Sequence, residues 1–131
     1  MKVLVDSHIL LWLGKNQLTD KAKKAKALFD CSDYTFYFSS VNLWEIAIKA
    51  SLSKPDFDIV VEELEQGLLK SGFYQLYIDN KHIFEIKNLP HIHKDPFDRL
   101  LIAQAKVECF HFLTVDEKIL QYGYDFVIDA S

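Results

Sequence analysis

Short runs of apolar, β-branched and aromatic residues alternate along this chain with segments of helical periodicity. The runs that indicate strands are Lys2–Val5 (KVLV), Tyr34–Phe38 (YTFYF), Phe73–Ile78 (FYQLYI) and Phe112–Val115 (FLTV), with Phe126–Ile128 as a further edge strand. Continuous apolar character such as that of KVLV is typical of a strand buried on both faces of a parallel sheet. Because strands and helices alternate, we predict an α/β fold with a central, mostly parallel sheet of four to five strands flanked by helices.

Capping residues mark where several of the intervening helices begin. Ser7 can cap the first helix, Ser39 or Ser40 the third, and Asp95 followed by Pro96 opens the clearest one, PFDRLLIAQAKVE. Pro55 breaks the chain after the third helix. The predicted helices are a buried one over Ile9–Leu13, a polar one from Thr19 or Asp20 to Asp30, one from Ser39 or Ser40 to about Ser51, an amphipathic one over Ile59–Leu69 that ends before Gly72, a short one over Lys81–Asn88, the long one over 96–108, and Glu117–Gln121.

Size and composition restrict the class of protein. With 131 residues, half of them hydrophobic, the chain predicts one domain over 1–131 with a core of its own. The two cysteines, Cys31 and Cys109, are too few for a disulfide scaffold. Asp6 and His8 interrupt the apolar N-terminal run, and no run reaches the roughly 18 apolar residues of a membrane helix. We therefore expect a cytoplasmic protein that does not enter a membrane.

The net charge of −4 argues against a nucleic-acid partner, because neutralising phosphates favours a basic surface. That argument fails if several acids gather around a bound divalent cation, since net charge then no longer reports what the surface attracts. The lysine-rich stretch Lys21–Lys26 is interpreted as an ordinary solvated helix face, with contact to an RNA backbone as the alternative.

Four acids occupy positions that a parallel α/β sheet would bring to one edge. Asp6 ends the first strand and Asp116 ends the strand FLTV, while Glu45 lies two turns into the helix after YTFYF and Asp98 in the first turn of the long helix. Ligands of open α/β sheets bind outside the carboxyl ends of the strands. We expect these carboxylates to lie close together there.

Each acid has an ordinary structural explanation when it is taken alone. A strand-terminal Asp is often a turn or cap residue, and Asp98 can simply complement the helix dipole. Glu45 is harder to explain in this way, because apolar residues surround it in sequence. Carboxylates about 4 Å apart repel by roughly 4 kcal/mol per pair at an effective dielectric of about 20, so a cluster needs a counter-charge and should raise the pKa of at least one member. Oxygen ligands favour Mg²⁺ or Mn²⁺, and such ions are widely used to hydrolyse nucleic acid.

Four segments of the chain, in order, resemble the acidic motifs of PIN-domain nucleases. They are LVDSHILLW, FSSVNLWEIAIK, HKDPFDRLLIAQA and FLTVDEKI, and they span Val3 to about Tyr122. The resemblance is closest to VapC-like toxins of bacterial and archaeal toxin–antitoxin pairs. It implies a three-layer sandwich and a Mg²⁺- or Mn²⁺-dependent endoribonuclease acting on structured RNA. It also implies a homodimer that a small antitoxin protein holds inactive.

The resemblance assigns the four acids as metal-binding and catalytic residues. These are Asp6, Glu45, Asp98 and Asp116, with Asp95 as the competitor of Asp98; the separation of 18 residues between Asp98 and Asp116 suits the family. In the mechanism that it implies, Asp6, Glu45 and Asp98 hold one metal ion, while Asp116 can be a weaker or water-mediated ligand.

Three further residues receive supporting roles. Ser7 or Ser39 would order water molecules around the metal, and Arg99 would contact phosphate, with a surface ion pair as the alternative. Asn42 stands where many relatives have Ser or Thr, so no hydroxyl role carries over to it.

Other functions have weaker support in the residues. His91 and His93 with Cys109 and His111 match none of the common zinc spacings. The aromatic side chains are interpreted as core, with some at a dimer contact or an antitoxin groove. Two alternatives to the toxin remain open, namely a non-catalytic PIN-like module that binds RNA or protein, and an RNA-processing nuclease outside a toxin–antitoxin pair.

Overall fold

Five parallel strands form the central sheet in this computed structural model, which describes residues 1–52 and 57–131 and leaves out the side chains of residues 19 and 20. The predicted break at Pro55 lies outside the described residues. The strands are β1 (Lys2–Val5), β2 (Thr35–Ser39), β3 (Tyr74–Leu76), β4 (His111–Thr114) and β5 (Val127–Asp129), in the spatial order β3-β2-β1-β4-β5. Every neighbouring pair is parallel, which confirms the predicted sheet.

The helices lie on both faces of this sheet. They are α1 (Ser7–Gly14), α2 (Leu18–Lys21), α3 (Lys23–Phe29), α4 (Ser40–Ser51), α5 (Val61–Lys70), α6 (Asn80–Glu85), α7 (Pro96–Glu108) and α8 (Glu117–Leu120), and a 3₁₀ turn over Ile86–Asn88 extends α6. No helix in the described ranges has the length and apolar character that a bilayer crossing requires.

Alternating side chains of β1 separate two hydrophobic cores. Val3 and Val5 pack with α1, α3 and α5, whereas Leu4 packs with α7 and α8. Successive side chains of a strand point to opposite faces, so these contacts place one helical layer on each side of the sheet. The fold is therefore the predicted three-layer α/β sandwich.

Two details of the helix starts differ from the sequence prediction. Asp6, rather than Ser7, caps α1, because its Oδ1 accepts a hydrogen bond from the Ser7 backbone N–H at 2.7 Å. The predicted polar helix up to Asp30 is split into α2 and α3 at Ala22, whose φ of −148° and ψ of 69° are not helical. The break allows the side chains of Ala22 and Ala25 to be fully buried in the same core.

The β3 strand is shorter than the predicted Phe73–Ile78. Only Tyr74–Leu76 pairs, with Tyr37–Ser39 of β2, because β3 is an edge strand with a single neighbour. In contrast, β1 lies between β2 and β4 and pairs in parallel with both. The segments that follow these three strands therefore meet at the carboxyl edge of the sheet.

Candidate active site

Asp6 and Asp116 follow two neighbouring strands at the carboxyl edge of the sheet. Asp6 is almost fully buried, and its Oδ2 accepts a hydrogen bond of 2.6 Å from the hydroxyl group of Thr114. The same hydroxyl oxygen accepts a hydrogen bond of 3.0 Å from the Asp116 backbone N–H. Thr114, the last residue of β4, therefore joins the two acid-bearing segments directly.

Glu45 reaches the start of α1 from the second turn of α4. Its Oε1 accepts a hydrogen bond of 2.8 Å from the Ser7 hydroxyl group, and its Oε2 lies 3.1 Å from Lys49 Nζ. The Ser7 oxygen in turn accepts from Asn42 Nδ2 at 2.9 Å. Ser7 thus positions the Glu45 carboxylate, and Asn42 in turn holds the Ser7 hydroxyl group.

Ser39 does not take the water-ordering role predicted for it. Its side chain is fully buried, where the oxygen caps α4 by accepting from Val41 N at 3.0 Å and donates to Gln104 Oε1. The hydroxyl group is committed to these two partners because Ser39 begins the helix inside the protein. Its function is to start α4 and so to set the position of Glu45.

Arg99 does not lie on the surface, and neither predicted role describes it. Its guanidinium group is buried and donates to a set of neutral oxygens, namely the carbonyl oxygens of Ile86, Leu89, Pro90 and His93 and the hydroxyl oxygen of Tyr122. The side chain points away from solvent because the segment over 86–93 wraps around it. Arg99 therefore anchors that segment to α7 rather than contacting phosphate.

Asp95 and Asp98 have different environments at the start of α7. Asp95 Oδ1 accepts hydrogen bonds from the backbone N–H groups of Phe97 and Asp98 at 2.8 and 3.3 Å, which is the geometry of a helix N-cap. Asp98 lies one turn further along and is buried, close enough to the other acids for their charges to act on it. The structure thus accounts for Asp95 as a cap and brings Asp98 into the acidic cluster.

Burial and mutual repulsion raise the pKa of two acids in this cluster. Desolvation is the largest cause for Asp98, and the negative charges of Asp6, Asp95, Glu45 and Asp116 add to it and raise the pKa to about 8. Burial also raises the pKa of Asp6, although the hydrogen bond from Thr114 opposes it. The expected rise in the pKa of at least one acid is confirmed.

His93 belongs to the same cluster, although the sequence analysis assigned it no role there. Its Nε2 lies 2.8 Å from Asp98 Oδ2 and 3.4 Å from Asp116 Oδ2. One ligand atom from each of these three residues falls within 4.8 Å of the others. The signal that identifies it is its position two residues before the cap of the helix that carries Asp98.

The set of His91, His93, Cys109 and His111 does not form one site. Cys109 caps the carboxyl end of α7, and His111 begins β4, whereas His93 lies beside Asp116 beyond the opposite end of β4. The rejection of a zinc site made from these four residues is consistent with that placement.

The side chains at this edge fit a hard divalent cation. Asp6, Glu45, Asp98 and Asp116 supply carboxylate oxygens, the ligand type that Mg²⁺ and Mn²⁺ prefer. Within the described part of the chain, Asp98 Oδ1 has no hydrogen-bond partner, while both oxygens of Asp6 and Glu45 accept one each. Burial first, and then the neighbouring negative charges, raise the pKa of Asp98, and a bound cation would favour its ionised form.

These pKa shifts predict how the stability of the metal-free protein depends on pH. The pKa of Asp98 rises from an ordinary 3.8 to about 8 on folding, so the folded state binds more protons than the unfolded state between these values. The free energy of unfolding should therefore fall as pH increases from 4 to 8. In buffer with EDTA, the free energy of unfolding of Asp98→Asn should exceed that of wild type by at least about 1.4 kcal/mol at pH 8, the equivalent of one pKa unit. The difference should be smaller at pH 5.

Urea denaturation at the two pH values measures this difference. An Asp98→Asn variant that gains no stability between pH 5 and pH 8 relative to wild type would contradict the interpretation of the cluster.

Comparison with known protein families gives a match over most of the chain. The model of a family described as "PIN domain" matches residues 3–124. A search of curated protein sequences found no significant match.

Several solved structures share the fold over nearly the whole chain. A toxin–antitoxin complex from Klebsiella pneumoniae has a TM-score of 0.68 at 18% identity, and VapBC-1 from nontypeable Haemophilus influenzae has 0.69 at 17%, each match covering 98% of both chains. VapBC2 from Rickettsia felis, bound to a DNA fragment from its promoter, has a TM-score of 0.73 at 14% identity over 100% of both chains.

Proposed function

Because the chain belongs to the PIN domain family, we propose that it is a metal-dependent endoribonuclease of the VapC-like toxin type. The observation that supports this proposal is the buried Asp98 at the sheet edge, on which the negative charges of Asp6, Glu45 and Asp116 act. A fold would not gather these charges unless a cation compensated them. Mg²⁺ or Mn²⁺ is the proposed cofactor.

The proposed catalytic and metal-binding residues are Asp6, Glu45, Asp98 and Asp116. When bound, the cation would supply Lewis-acid activation of water and of the phosphodiester group. Thr114 and Ser7 orient Asp6 and Glu45 through the hydrogen bonds described above. Lys49, half-exposed beside Glu45, offers the phosphate-facing cation that Arg99 does not provide.

The proposed biological context is a toxin–antitoxin pair. The similar structures from Klebsiella pneumoniae, Haemophilus influenzae and Rickettsia felis come from toxin–antitoxin complexes, which supports a small antitoxin protein as a partner. We further propose that residues 1–131 form one domain, that the protein is a cytoplasmic homodimer, and that its substrate is structured RNA. An antitoxin gene beside this one would distinguish a toxin from an RNA-processing nuclease.

Cleavage of an RNA pool by the purified protein tests the function. Fragments should form with Mn²⁺ and disappear with EDTA and in the Asp6→Asn variant. The same fragments in Asp6→Asn would indicate a contaminating nuclease. If wild type binds Mn²⁺ but cleaves neither the pool nor transfer and ribosomal RNA after denaturing purification that removes an antitoxin, the non-catalytic module becomes the better explanation.

A further inference from the structure

His93 contacts two of the four acids, yet the proposed function gives it no part. It is 9% exposed and approaches Asp98 Oδ2 and Asp116 Oδ2 with the same nitrogen, Nε2. A side chain in this position either ligates the cation, contacts the substrate or orients the carboxylates. The surroundings of the imidazole ring distinguish these roles.

The backbone of His93 is held on both sides. Its N–H donates to the Tyr122 hydroxyl group at 3.1 Å, and its carbonyl oxygen accepts from Arg99 Nη1 at 3.3 Å. Arg99 Nη1 also donates to the Tyr122 oxygen at 3.3 Å, so the three residues form a closed group. These bonds fix the segment that carries the imidazole ring against α7.

A further hydrogen bond selects the tautomer of the ring. Nδ1 of His93 accepts from the Asp95 backbone N–H at 3.3 Å, and a nitrogen that accepts carries no proton. Nε2 then carries a proton, which it donates to Asp116 Oδ2 at 3.4 Å. A nitrogen that carries a proton cannot also ligate a metal ion.

Resting on the proposed function, we propose that His93 is a positioning residue whose Nε2–H, fixed in place by α7 and Tyr122, orients the carboxylates of Asp98 and Asp116 for a divalent cation without ligating it. Nε2 donates to Asp116 Oδ2 at 3.4 Å and lies 2.8 Å from Asp98 Oδ2, whereas Asp98 Oδ1 has no partner among the described residues. Asp116 is held at both oxygens, by His93 at Oδ2 and by the Lys118 backbone N–H at Oδ1.

This arrangement has a defined consequence for metal affinity. Groups that hydrogen-bond to metal ligands typically contribute 10- to 100-fold to metal affinity, because they remove the cost of orienting the ligands. Loss of the donor should weaken Mn²⁺ binding by about that factor. Replacement by a side chain with an N–H donor at the same reach should preserve most of it.

Calorimetric titration with Mn²⁺ alone tests the proposal in four proteins: wild type, His93→Leu, His93→Gln and the control His91→Leu. Glutamine places an amide N–H near the position of Nε2, whereas leucine has no donor. We expect the Kd for Mn²⁺ to increase about 10- to 100-fold in His93→Leu and to stay within a few-fold of wild type in His93→Gln. His91 is exposed, so His91→Leu should bind like wild type.

Electron spin echo spectroscopy of bound Mn²⁺ gives a second measurement that does not depend on affinity. Wild type should show no hyperfine coupling to a directly bound imidazole nitrogen. If His93→Leu does not fold, as judged by circular dichroism, His93→Asn replaces it because its shorter amide does not reach the carboxylates.

The outcomes separate this inference from the proposed function. Equal Mn²⁺ affinity in wild type and in the variants without a donor overturns the positioning role. A nitrogen coupling that disappears in His93→Gln shows that His93 is a ligand and also overturns it. Failure of wild type to bind Mn²⁺ or Mg²⁺ overturns the proposed function itself, and the inference with it.

Discussion

Asp98→Asn is expected to reduce metal-dependent RNA cleavage by more than about 100-fold while the protein remains folded. The change removes one carboxylate from the proposed metal site, and its effect should exceed the 10- to 100-fold loss typical of a group that only supports a ligand. Because Asn has no charge to bury, the variant should lose activity without losing stability. Single-turnover cleavage at saturating Mn²⁺ measures the loss.

Asp95→Asn is the matched control for this substitution. It removes the same charge from the same helix turn, but Asn is as good an N-cap as Asp and can still accept from the Phe97 and Asp98 backbone N–H groups. We expect its cleavage rate to stay within a few-fold of wild type. If Asp95→Asn abolished cleavage and Asp98→Asn did not, the assignment of the third acid would have to be reversed.

Arg99→Met is expected to lower the free energy of unfolding by about 3 kcal/mol or more. The guanidinium group donates to four carbonyl oxygens of the segment over 86–93. Removal of the donor leaves these buried acceptors without a hydrogen bond, which costs about 1–3 kcal/mol for each acceptor. Methionine fills similar volume, so the loss measures the hydrogen bonds rather than a cavity. Urea denaturation in EDTA provides the measurement.

Lys106→Met is the control for Arg99→Met, because it replaces another basic residue of α7 by methionine. Lys106 forms a partly exposed ion pair with Glu85 at 3.2 Å, and exposed pairs contribute about 0–1 kcal/mol. Its loss should therefore change stability far less than that of Arg99. Similar losses in the two variants would mean that Arg99 does not anchor the segment.

The strand and helix order of this fold could be predicted from local pattern. KVLV and FLTV are mostly apolar, and the structure places β1 over KVLV and its neighbour β4 over His111–Thr114. The Asp95-Pro96 signal located the start of α7 correctly. Boundaries were less accurate where a neighbour decides them, as for β3 at the sheet edge and for the break at Ala22.

The role predicted for Arg99 was wrong and a role for His93 was missing, because the environments of both side chains depend on long-range contacts. Arg99 follows Asp98 directly, and nothing local shows that the segment over 86–93 folds over its guanidinium group. In the sequence, His93 belongs to a histidine pair that matches no common zinc spacing. The structure places Asp116, 23 residues later in the sequence, beside it.

The sequence by itself determined the parallel sheet and the positions of the acids on its elements, because hydrophobic periodicity and capping act between residues close in the chain. The ends of β1 and β4 must meet once these strands pair, so the location of Asp6 and Asp116 followed from the same pattern. Only the tertiary structure decided which polar groups orient these acids. Hydrogen bonds such as those from Thr114 to Asp6 and from His93 to Asp116 join distant segments, and their partners depend on packing that no local pattern encodes.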